Sequence, residues 1–569
     1  MDFPDIDTAQ NPAPHHGIWR DLLLITLLFA LGYGTMLGNR ALWQPDEARY
    51  TEIPREMLLS GDFLTPHLDG VKYFEKPPLF YWLQAGALRW FGLSAWSARL
   101  WPVLFSLFGC LAVYAAGRTW YGRGTGLAAA GVLATSLLYF FLGRAVILDL
   151  VLTTFLSSAM LALVQGTRTP LGARRRYWFW AAYALMALAT LTKGLIGFVL
   201  PGMVVAVWIV LLGEWRLLLS MYLPSGVLVF LLIAAPWHVW VSAVNPEFPY
   251  FYFVQQHFLR YLTDAEQRYQ PNWFFIPILL LGFFPWTLFL TQTLRQIVPK
   301  LWARRHAHKE TLFLLVWIVV VFSFFSLSHS KLVPYILPVF PPLALLLGRY
   351  LANADTASAG WRRGLLLLAF VNLSAAVSFL LMASGLWRSA AVLELQRLMG
   401  PALWIVAGAF AVGMVAALAM SRVLGRVRVL AVVMASTLLI HQCFGYAMSR
   451  MDEKYTVQRL ALTLKPQLRD DDVVVSYSTY YQDLPLYLLR RITIVDWTNE
   501  LTFGAAHQDT RAWMLKSPDL WALWQGPRRV FVFANTDSLT ELRRQAGDRY
   551  YFLAGDKYHV LLSNEPPPP

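Results

Sequence analysis

The stretch WQPDEARYTEIPRE, residues 43–56, decides the fold, because it places a dense group of charges directly after an apolar run at residues 18–37. A run of about 20 apolar residues is long enough to span a bilayer as a helix. Charged side chains beside a bilayer are costly unless they serve binding or catalysis. Only 14% of the chain is charged, so this segment predicts a functional site at the edge of a membrane.

The rest of the chain divides at about residue 450. Apolar runs of spanning length recur up to residue 448, whereas the hydropathy is low after that point, in a chain with 57% hydrophobic residues. This pattern predicts a polytopic α-helical membrane domain at residues 1–450, with outer loops at 42–95 and 243–272. A soluble α/β domain is predicted at residues 451–569.

Basic residues set the predicted orientation. The net charge of +14 does not indicate nucleic-acid binding, because Lys and Arg lie mostly in short loops between spans, as expected of cytoplasmic loops. The apolar, aromatic stretch at residues 77–91 could be a span or a helix in the interface. The interfacial alternative puts every basic loop inside. It predicts about thirteen transmembrane helices, with residues 73–91 and the C-terminal domain outside.

The C-terminal domain shows alternating strand and helix patterns. Short β-branched and aromatic runs at residues 473–475, 492–495, 530–533 and 559–562 predict strands. Segments 456–464 and 539–545 predict helices between them. No Gly-rich nucleotide-binding loop accompanies these strands in the sequence.

On the predicted topology, polar side chains of several separate outer loops lie at one membrane depth. Such a convergence is expected of an enzyme that works on lipid-linked substrates, whereas a secondary transporter would carry its charges near the bilayer midplane. The side chains are Asp46, Glu47, Arg49, Tyr50, Arg55, Tyr73, Glu75, Lys76, Arg144, Asp149, Lys193, His257, Arg260, Arg268, His329 and Lys331.

Several motifs from residue 43 to about 342 resemble those of large membrane glycosyltransferases that use polyprenyl-phosphate sugars. They are similar above all to those of the bacterial lipid A aminoarabinose transferases, which are relatives of the protein O-mannosyltransferases in the GT-C superfamily. The motifs are DEARY at 46–50, FEKPP at 74–78, Asp149, KGL at 193–195, APWH at 235–238 and SHSKLVPYILP at 328–338.

The resemblance implies transfer of 4-amino-4-deoxy-L-arabinose from undecaprenyl phosphate to lipid A phosphates at the periplasmic face of the bacterial inner membrane. The implied partners are the lipid-linked donor, the lipid A acceptor and membrane lipids, with no nucleic acid and a monomeric protein. A protein O-mannosyltransferase using polyprenyl-phosphate mannose is the alternative enzyme. A secondary transporter is the alternative from another class.

The residue types suit that chemistry. A lipid monophosphate leaving group develops negative charge that fixed cations stabilise, and Arg and Lys are the usual phosphate ligands. Asp46 and Asp149 are the predicted catalytic carboxylates, acting either as general base or as groups that orient the acceptor or bind the sugar ammonium. Asp46 could also be only a helix cap. The predicted substrate-binding residues are Arg49, Tyr50, Tyr73, Lys76, Lys193, Arg260, Lys331 and Tyr335.

No cofactor is required by this chemistry, because Lys and Arg alone can neutralise a monophosphate. A divalent metal is the alternative, with Glu75 and His257 as an oxygen and a nitrogen ligand from separate loops. Neither residue belongs to an HxxH or DxD motif, so the metal rests on residue type alone.

Overall fold

A computed structural model describes residues 17–263, 268–298, 302–423 and 425–566. The chain forms a large helical bundle followed by a mixed α/β domain. The predicted fold class, a polytopic helical membrane protein with a C-terminal α/β domain, is therefore confirmed.

The first part of the bundle contains long apolar helices and one two-stranded hairpin. The longest helix begins at a capping box in which Ser94 and Ser97 exchange hydrogen bonds. The elements up to residue 244 are α1 (Ile18–Gly34), α2 (Asp46–Ser60), β1 (His67–Leu68), β2 (Val71–Lys72), α3 (Leu79–Phe91), α4 (Ala95–Tyr121), α5 (Arg123–Thr135), α6 (Leu137–Leu142), α7 (Leu148–Arg168), α8 (Ala173–Lys193), α9 (Ile196–Leu212), α10 (Arg216–Leu219) and α11 (Leu223–Val244).

The second part of the bundle begins with an irregular segment and includes four helices of 19 to 25 residues. Its elements are a π-helix (Tyr250–Leu259), α12 (Arg260–Leu262), α13 (Phe275–Gly282), a 3₁₀-helix (Trp286–Phe289), α14 (Leu290–Ile297), α15 (Lys309–Leu327), a 3₁₀-helix (Val333–Val339), α16 (Phe340–Asn353), α17 (Ala359–Ala383), α18 (Ala390–Met399), α19 (Ala402–Met420), α20 (Arg426–Met448) and a 3₁₀-turn (Ser449–Met451).

Fewer helices qualify as membrane spans by their length and composition than the sequence predicts. Within the described ranges, eight helical segments are long and apolar enough to cross a membrane, or nine if the pair α13 and α14, bent by 97°, is one span. Helices α1, α5 with α6, α8 and α9 are shorter, broken or more polar, yet they pack within the bundle. The total of about thirteen requires counting these four as well, and it stays a prediction. Helix α3 has 13 residues, too few to span hydrocarbon.

The C-terminal part alternates helices with strands. Its elements are α21 (Asp452–Tyr455), α22 (Gln458–Leu464), a 3₁₀-turn (Lys465–Gln467), β3 (Val473–Tyr477), α23 (Leu484–Leu488), β4 (Thr493–Val495), a 3₁₀-turn (Asn499–Leu501), α24 (Thr502–Ala506), β5 (Met514–Leu515), α25 (Ser517–Gln525), β6 (Val530–Asn535), a 3₁₀-turn (Thr536–Ser538), α26 (Leu539–Ala546), β7 (Tyr551–Gly555) and β8 (His559–Ser563).

These strands form one six-stranded sheet in the order β5-β4-β3-β6-β8-β7. Strands β5, β4, β3 and β6 are parallel, whereas β8 and β7 are antiparallel to their neighbours. The four predicted strands are β3, β4, β6 and β8, which have mostly buried residues. The two edge strands were not predicted, because β5 has two residues and β7 is only partly buried.

The C-terminal domain sits on the loop that follows α1. The β1–β2 hairpin turns through Asp69 and Gly70, both with positive φ, as an Asp-Gly hairpin turn requires. The buried Asp69 carboxylate accepts a hydrogen bond from the Ile492 amide at 2.9 Å, and Trp43 donates from its indole to Asp452 at 2.7 Å. We call the end of the bundle that carries this domain the domain end.

Candidate active site

Helix α2 begins the charged cluster at the domain end. Asp46 is its first residue, with 54% of its side chain exposed, and it accepts a 3.3 Å contact from Arg49 Nη1. Arg49 is buried, and its Nη2 lies 2.6 Å from Glu500 of the C-terminal domain. The N-cap position of α2 is occupied by Pro45, and no side chain caps the helix there, whereas the Asp46 carboxylate contacts Arg49.

Glu47, the next residue, points into the bundle and is fully paired. Its carboxylate is 2.9 Å and 3.0 Å from the Arg99 guanidinium and 2.7 Å from Arg40. The Val146 amide donates a further hydrogen bond at 3.2 Å. Burial would raise the pKa of Glu47, but Arg40 and Arg99 outweigh it and lower the pKa to about 2. Glu47 therefore joins α2 to α4 as a structural anion.

The second predicted carboxylate, Asp149, lies at the start of α7 and pairs with Lys193 at the end of α8. Lys193 Nζ also lies 4.4 Å from the centroid of the Tyr335 ring, a cation–π distance. Both partners of the ion pair are mostly buried. Three predicted site residues from separate elements thus meet.

The hydroxyl of Tyr335 contacts Arg260, which belongs to the second outer loop. Arg260 Nη2 donates to it at 3.4 Å, and Arg260 Nη1 lies 3.9 Å from Glu75 Oε2. Lys76 Nζ lies 3.8 Å from the same oxygen. Burial raises the pKa of Glu75, but Lys76 and Arg260 outweigh it and the net pKa is lowered. Two cations and one anion of the predicted site therefore share one neighbourhood.

Tyr50 is under the electrostatic influence of several acidic residues of the cluster. It is buried, and burial raises its pKa well above the usual value, with further increases from the charges of Asp46, Glu75 and Asp149. Tyr73 is also buried, and its hydroxyl has no hydrogen-bond partner among the described residues. Asp46 and Asp149, 103 residues apart in the sequence, therefore both act electrostatically on the pKa of Tyr50.

Both ring nitrogens of His257 contact backbone groups of the protein. Its Nε2 accepts a hydrogen bond from the Leu195 amide at 3.1 Å, and its Nδ1 is 2.6 Å from the Tyr252 carbonyl. Burial lowers its pKa to about 4, so the ring is neutral near pH 7. Gly194 has φ +99°, and a Cβ there would lie 2.1 Å from Nε2, which explains the glycine of the KGL motif.

The geometry gives the suggested metal site no support. A ligand role for His257 would require Nε2 to give up the Leu195 amide. Within the described part of the chain, no group of three or more His, Cys, Asp or Glu side chains could hold a metal ion. The metal with Glu75 and His257 stays a prediction.

Lys331 connects two outer loops through hydrogen bonds to backbone carbonyls. It is 3% exposed, and its ammonium donates to the carbonyls of Gln270 and Ser328. Its own amide donates to the Arg268 carbonyl at 3.3 Å. These contacts give Lys331 a structural place between two outer loops, and its role in substrate binding stays a prediction.

Glu500 is the residue at this site that sequence reasoning did not identify. It follows β4, and 12% of its side chain is exposed. Gln482 donates to its Oε1 at 3.1 Å. A charged residue in a loop of a soluble domain gives no signal in a single sequence, because its contact with Arg49 depends on how the two domains dock.

Family profiles match both parts of the chain. The profile described as dolichyl-phosphate-mannose-protein mannosyltransferase matches residues 18–298. The profile described as aminoarabinose transferase C-terminal domain matches residues 460–564. Together they cover the bundle elements that carry most of the cluster and the domain that carries Glu500.

Two relatives illustrate the likeness in sequence. The chain is similar to the undecaprenyl phosphate-alpha-4-amino-4-deoxy-L-arabinose arabinosyl transferase of Pectobacterium carotovorum, at 36% identity over 59% of each chain. It is 35% identical to transferase 2 of that name from Sodalis glossinidius, over 57% of this chain and 58% of the relative. The matched region therefore spans less than two thirds of the length of these relatives.

Two solved structures extend the likeness over the whole chain. ArnT from Cupriavidus metallidurans bound to undecaprenyl phosphate is similar with a TM-score of 0.85 at 28% identity, covering 97% of this chain and 98% of that one. The Archaeoglobus fulgidus oligosaccharyltransferase in its apo form has a TM-score of 0.51 at 13% identity, covering 95% and 74%. The second likeness concerns the fold alone.

Proposed function

We propose that this chain is a membrane glycosyltransferase of the aminoarabinose transferase family and that it transfers 4-amino-4-deoxy-L-arabinose from undecaprenyl phosphate to lipid A phosphates. The observation that carries the proposal is the cluster at the domain end. There, Lys76 and Arg260 lie 3.8 Å and 3.9 Å from Glu75, the Arg49 guanidinium lies 5.8 Å from the centroid of the Tyr50 ring, and Lys193 pairs with Asp149.

The cations fit the leaving group. During transfer, the bond between the anomeric carbon and the donor phosphate oxygen breaks, and an oxygen of the acceptor phosphate bonds to that carbon. The electron pair of the broken bond stays on undecaprenyl phosphate, which leaves with increased negative charge. Lys76 and Arg260, held near each other by Glu75, are suited to stabilise that charge as it develops.

The carboxylates fit the other participants. An acceptor phosphate is already anionic, so it needs no general base, whereas a hydroxyl acceptor would. We assign to Asp46, which is largely exposed, the role of orienting the acceptor or the sugar ammonium. We assign to Asp149 the role of fixing Lys193 beneath the substrate, because the two form an ion pair.

The chain is a multi-span membrane protein, and we propose the bacterial inner membrane with the domain end in the periplasm. Support comes from the basic residues at the opposite end, where Arg118 and Arg123 surround Asp21 and Arg168 pairs with Glu310. An excess of basic residues is typical of cytoplasmic loops. A reporter fused after Phe91 that scores cytoplasmic would overturn this orientation.

We further propose that the protein is a monomer and that it requires no metal.

A protein mannosyltransferase is the second candidate, because the profile of that family matches residues 18–298. The match of residues 460–564 to the aminoarabinose transferase domain favours the first candidate.

Mass spectrometry of lipid A tests the proposed function. Lipid A from cells with the gene should carry an added aminopentose that lipid A from deletion cells lacks. A purified enzyme that accepts a polyprenyl-phosphate mannose and a peptide, and leaves lipid A unchanged, would establish the second candidate instead. Retention of the aminopentose in deletion cells complemented with an Asp46→Asn variant would contradict the assigned site.

A further inference from the structure

Glu500 of the C-terminal domain contacts the cluster directly. Glu500 Oε2 lies 2.6 Å from Arg49 Nη2, which is shorter than the 3.3 Å between Arg49 Nη1 and Asp46. Arg49 is 8% exposed, and its Nε has no hydrogen-bond partner among the described residues. The direction of this guanidinium is therefore set mainly by a residue of the other domain.

Glu500 is itself held in place. Its second oxygen accepts a hydrogen bond from Gln482 at 3.1 Å, and Leu501 beside it is fully buried. A carboxylate fixed at both oxygens restricts the guanidinium that it binds, since the pairing of Arg with carboxylate is directional.

The segment after Glu500 contacts both outer loops. The Phe503 ring stacks on Phe251 of the second loop, with centroids 3.8 Å apart. Gln508 accepts from the Lys72 amide at 2.9 Å and donates to the Gly70 carbonyl at 2.8 Å. At Gly504, an added Cβ would lie 2.1 Å from the Lys72 carbonyl oxygen. The same short segment thus fixes the hairpin before Lys76 and the π-helix before Arg260.

We propose that Glu500 is a positioning residue for the transfer reaction: it orients Arg49 toward the lipid phosphate, so that the C-terminal domain completes the active site. The proposal rests on the function proposed above. Glu500 acts through Arg49 and touches no reacting atom. Its loss should therefore affect catalysis only while Arg49 is present.

A double-mutant cycle on the full-length protein in detergent tests this dependence. The variants are Glu500→Gln, Arg49→Ala and the double variant, with Glu500→Asp as a second change that keeps the charge. Asp509→Asn is the matched control, because Asp509 pairs with Arg511 at 2.7 Å on the same domain but at an exposed position. The readouts are kcat and KM with the aminoarabinose donor and lipid A, the Kd for undecaprenyl phosphate, and the melting temperature.

We expect Glu500→Gln to lower kcat/KM about 10- to 100-fold, the usual cost of misplacing a group by about 1 Å. Undecaprenyl phosphate should bind more weakly, the melting temperature should stay close to wild type, and Glu500→Asp should recover part of the activity. On the Arg49→Ala background, Glu500→Gln should cause no further loss. Asp509→Asn should behave as wild type.

Two results would overturn the inference. One is a Glu500→Gln variant with wild-type turnover and wild-type affinity for undecaprenyl phosphate. The other is losses that multiply in the double variant, because Glu500 would then act independently of Arg49. If the wild-type protein binds undecaprenyl phosphate but transfers no aminoarabinose, the proposed function fails, and the effect of Glu500→Gln on lipid binding still decides the inference.

Discussion

Two neighbouring carboxylates of α2, Asp46 and Glu47, have opposite environments. Glu47 is 5% exposed and receives charged or amide donors from Arg40, Arg99 and Val146 at 3.2 Å or less. Asp46 has 54% of its side chain exposed and one contact at 3.3 Å with Arg49. A buried anion destabilises the fold when one of its partners is removed, whereas an accessible anion beside cations can still receive a substrate. Charge density alone therefore does not identify a site; pairing and access do.

The largest loss of stability is expected when Arg99, a partner of the buried Glu47 carboxylate, is replaced. Arg99 is 2% exposed and donates to Glu47 and to the carbonyls of Leu37, Arg40 and Ala41. Arg99→Ala should destabilise the protein by about 3–5 kcal/mol, since it removes one of the two guanidiniums that neutralise the buried Glu47 carboxylate and takes a donor from three backbone carbonyls. Thermal unfolding in detergent measures this, with exposed Arg511→Ala as the control. An unchanged melting temperature would refute the structural role.

The largest loss of turnover is expected when the cations near Glu75 are removed. Lys76→Ala and Arg260→Ala should each lower turnover by about 10²–10³, because fixed donors aimed at a leaving phosphate act mainly in the transition state. Initial rates per folded molecule test this. Lys309→Ala, which removes a cation paired with Glu214 away from the cluster, serves as control. Near-normal rates in both site variants would remove these cations from the active site.

A smaller change separates the two contacts of Tyr335. Tyr335→Phe removes the hydroxyl that accepts from Arg260 at 3.4 Å but keeps the ring beneath Lys193. One long hydrogen bond contributes about 0.5–1.5 kcal/mol, so kcat/KM should fall by about tenfold at most. A loss as large as that of Arg260→Ala would mean that the hydroxyl itself contacts the substrate.

The smallest effect is expected from metal removal. If protein cations alone neutralise the leaving phosphate, dialysis against EDTA should leave the rate of transfer unchanged. Activity lost on chelation and restored by Mg²⁺ or Mn²⁺ would show that a metal participates and would make Glu75 the first ligand to test.

Much of this arrangement follows from local sequence. Long apolar runs predict the helical bundle, and the short β-branched runs predict β3, β4, β6 and β8. The motifs also predict that Asp149, Lys193, Arg260 and Tyr335 share a site, and the structure brings these four together. Hydropathy does not indicate where a helix stops, so the sequence predicts one continuous span where the structure has the separate helices α5 and α6.

The remainder depends on tertiary contacts. Asp46 and Glu47 are adjacent on a helix, so their side chains point roughly 100° apart, but the sequence does not say which one faces the bundle. Glu500 acquires its partner only when the two domains dock, and Lys331 is tied down by backbone carbonyls that belong to another loop. Pairing between distant segments leaves no periodic pattern in a single sequence.

The most direct measurement compares Asp46→Asn with Glu47→Gln for turnover per folded molecule and for melting temperature. Asp46→Asn should keep the melting temperature and lower the rate of transfer by about 10²-fold, the scale expected when a substrate is misplaced by about 1 Å. Glu47→Gln should lower the melting temperature strongly, and the fraction that folds should keep most of its activity. Full activity of Asp46→Asn would contradict the account and leave Asp46 as a residue that only begins a helix.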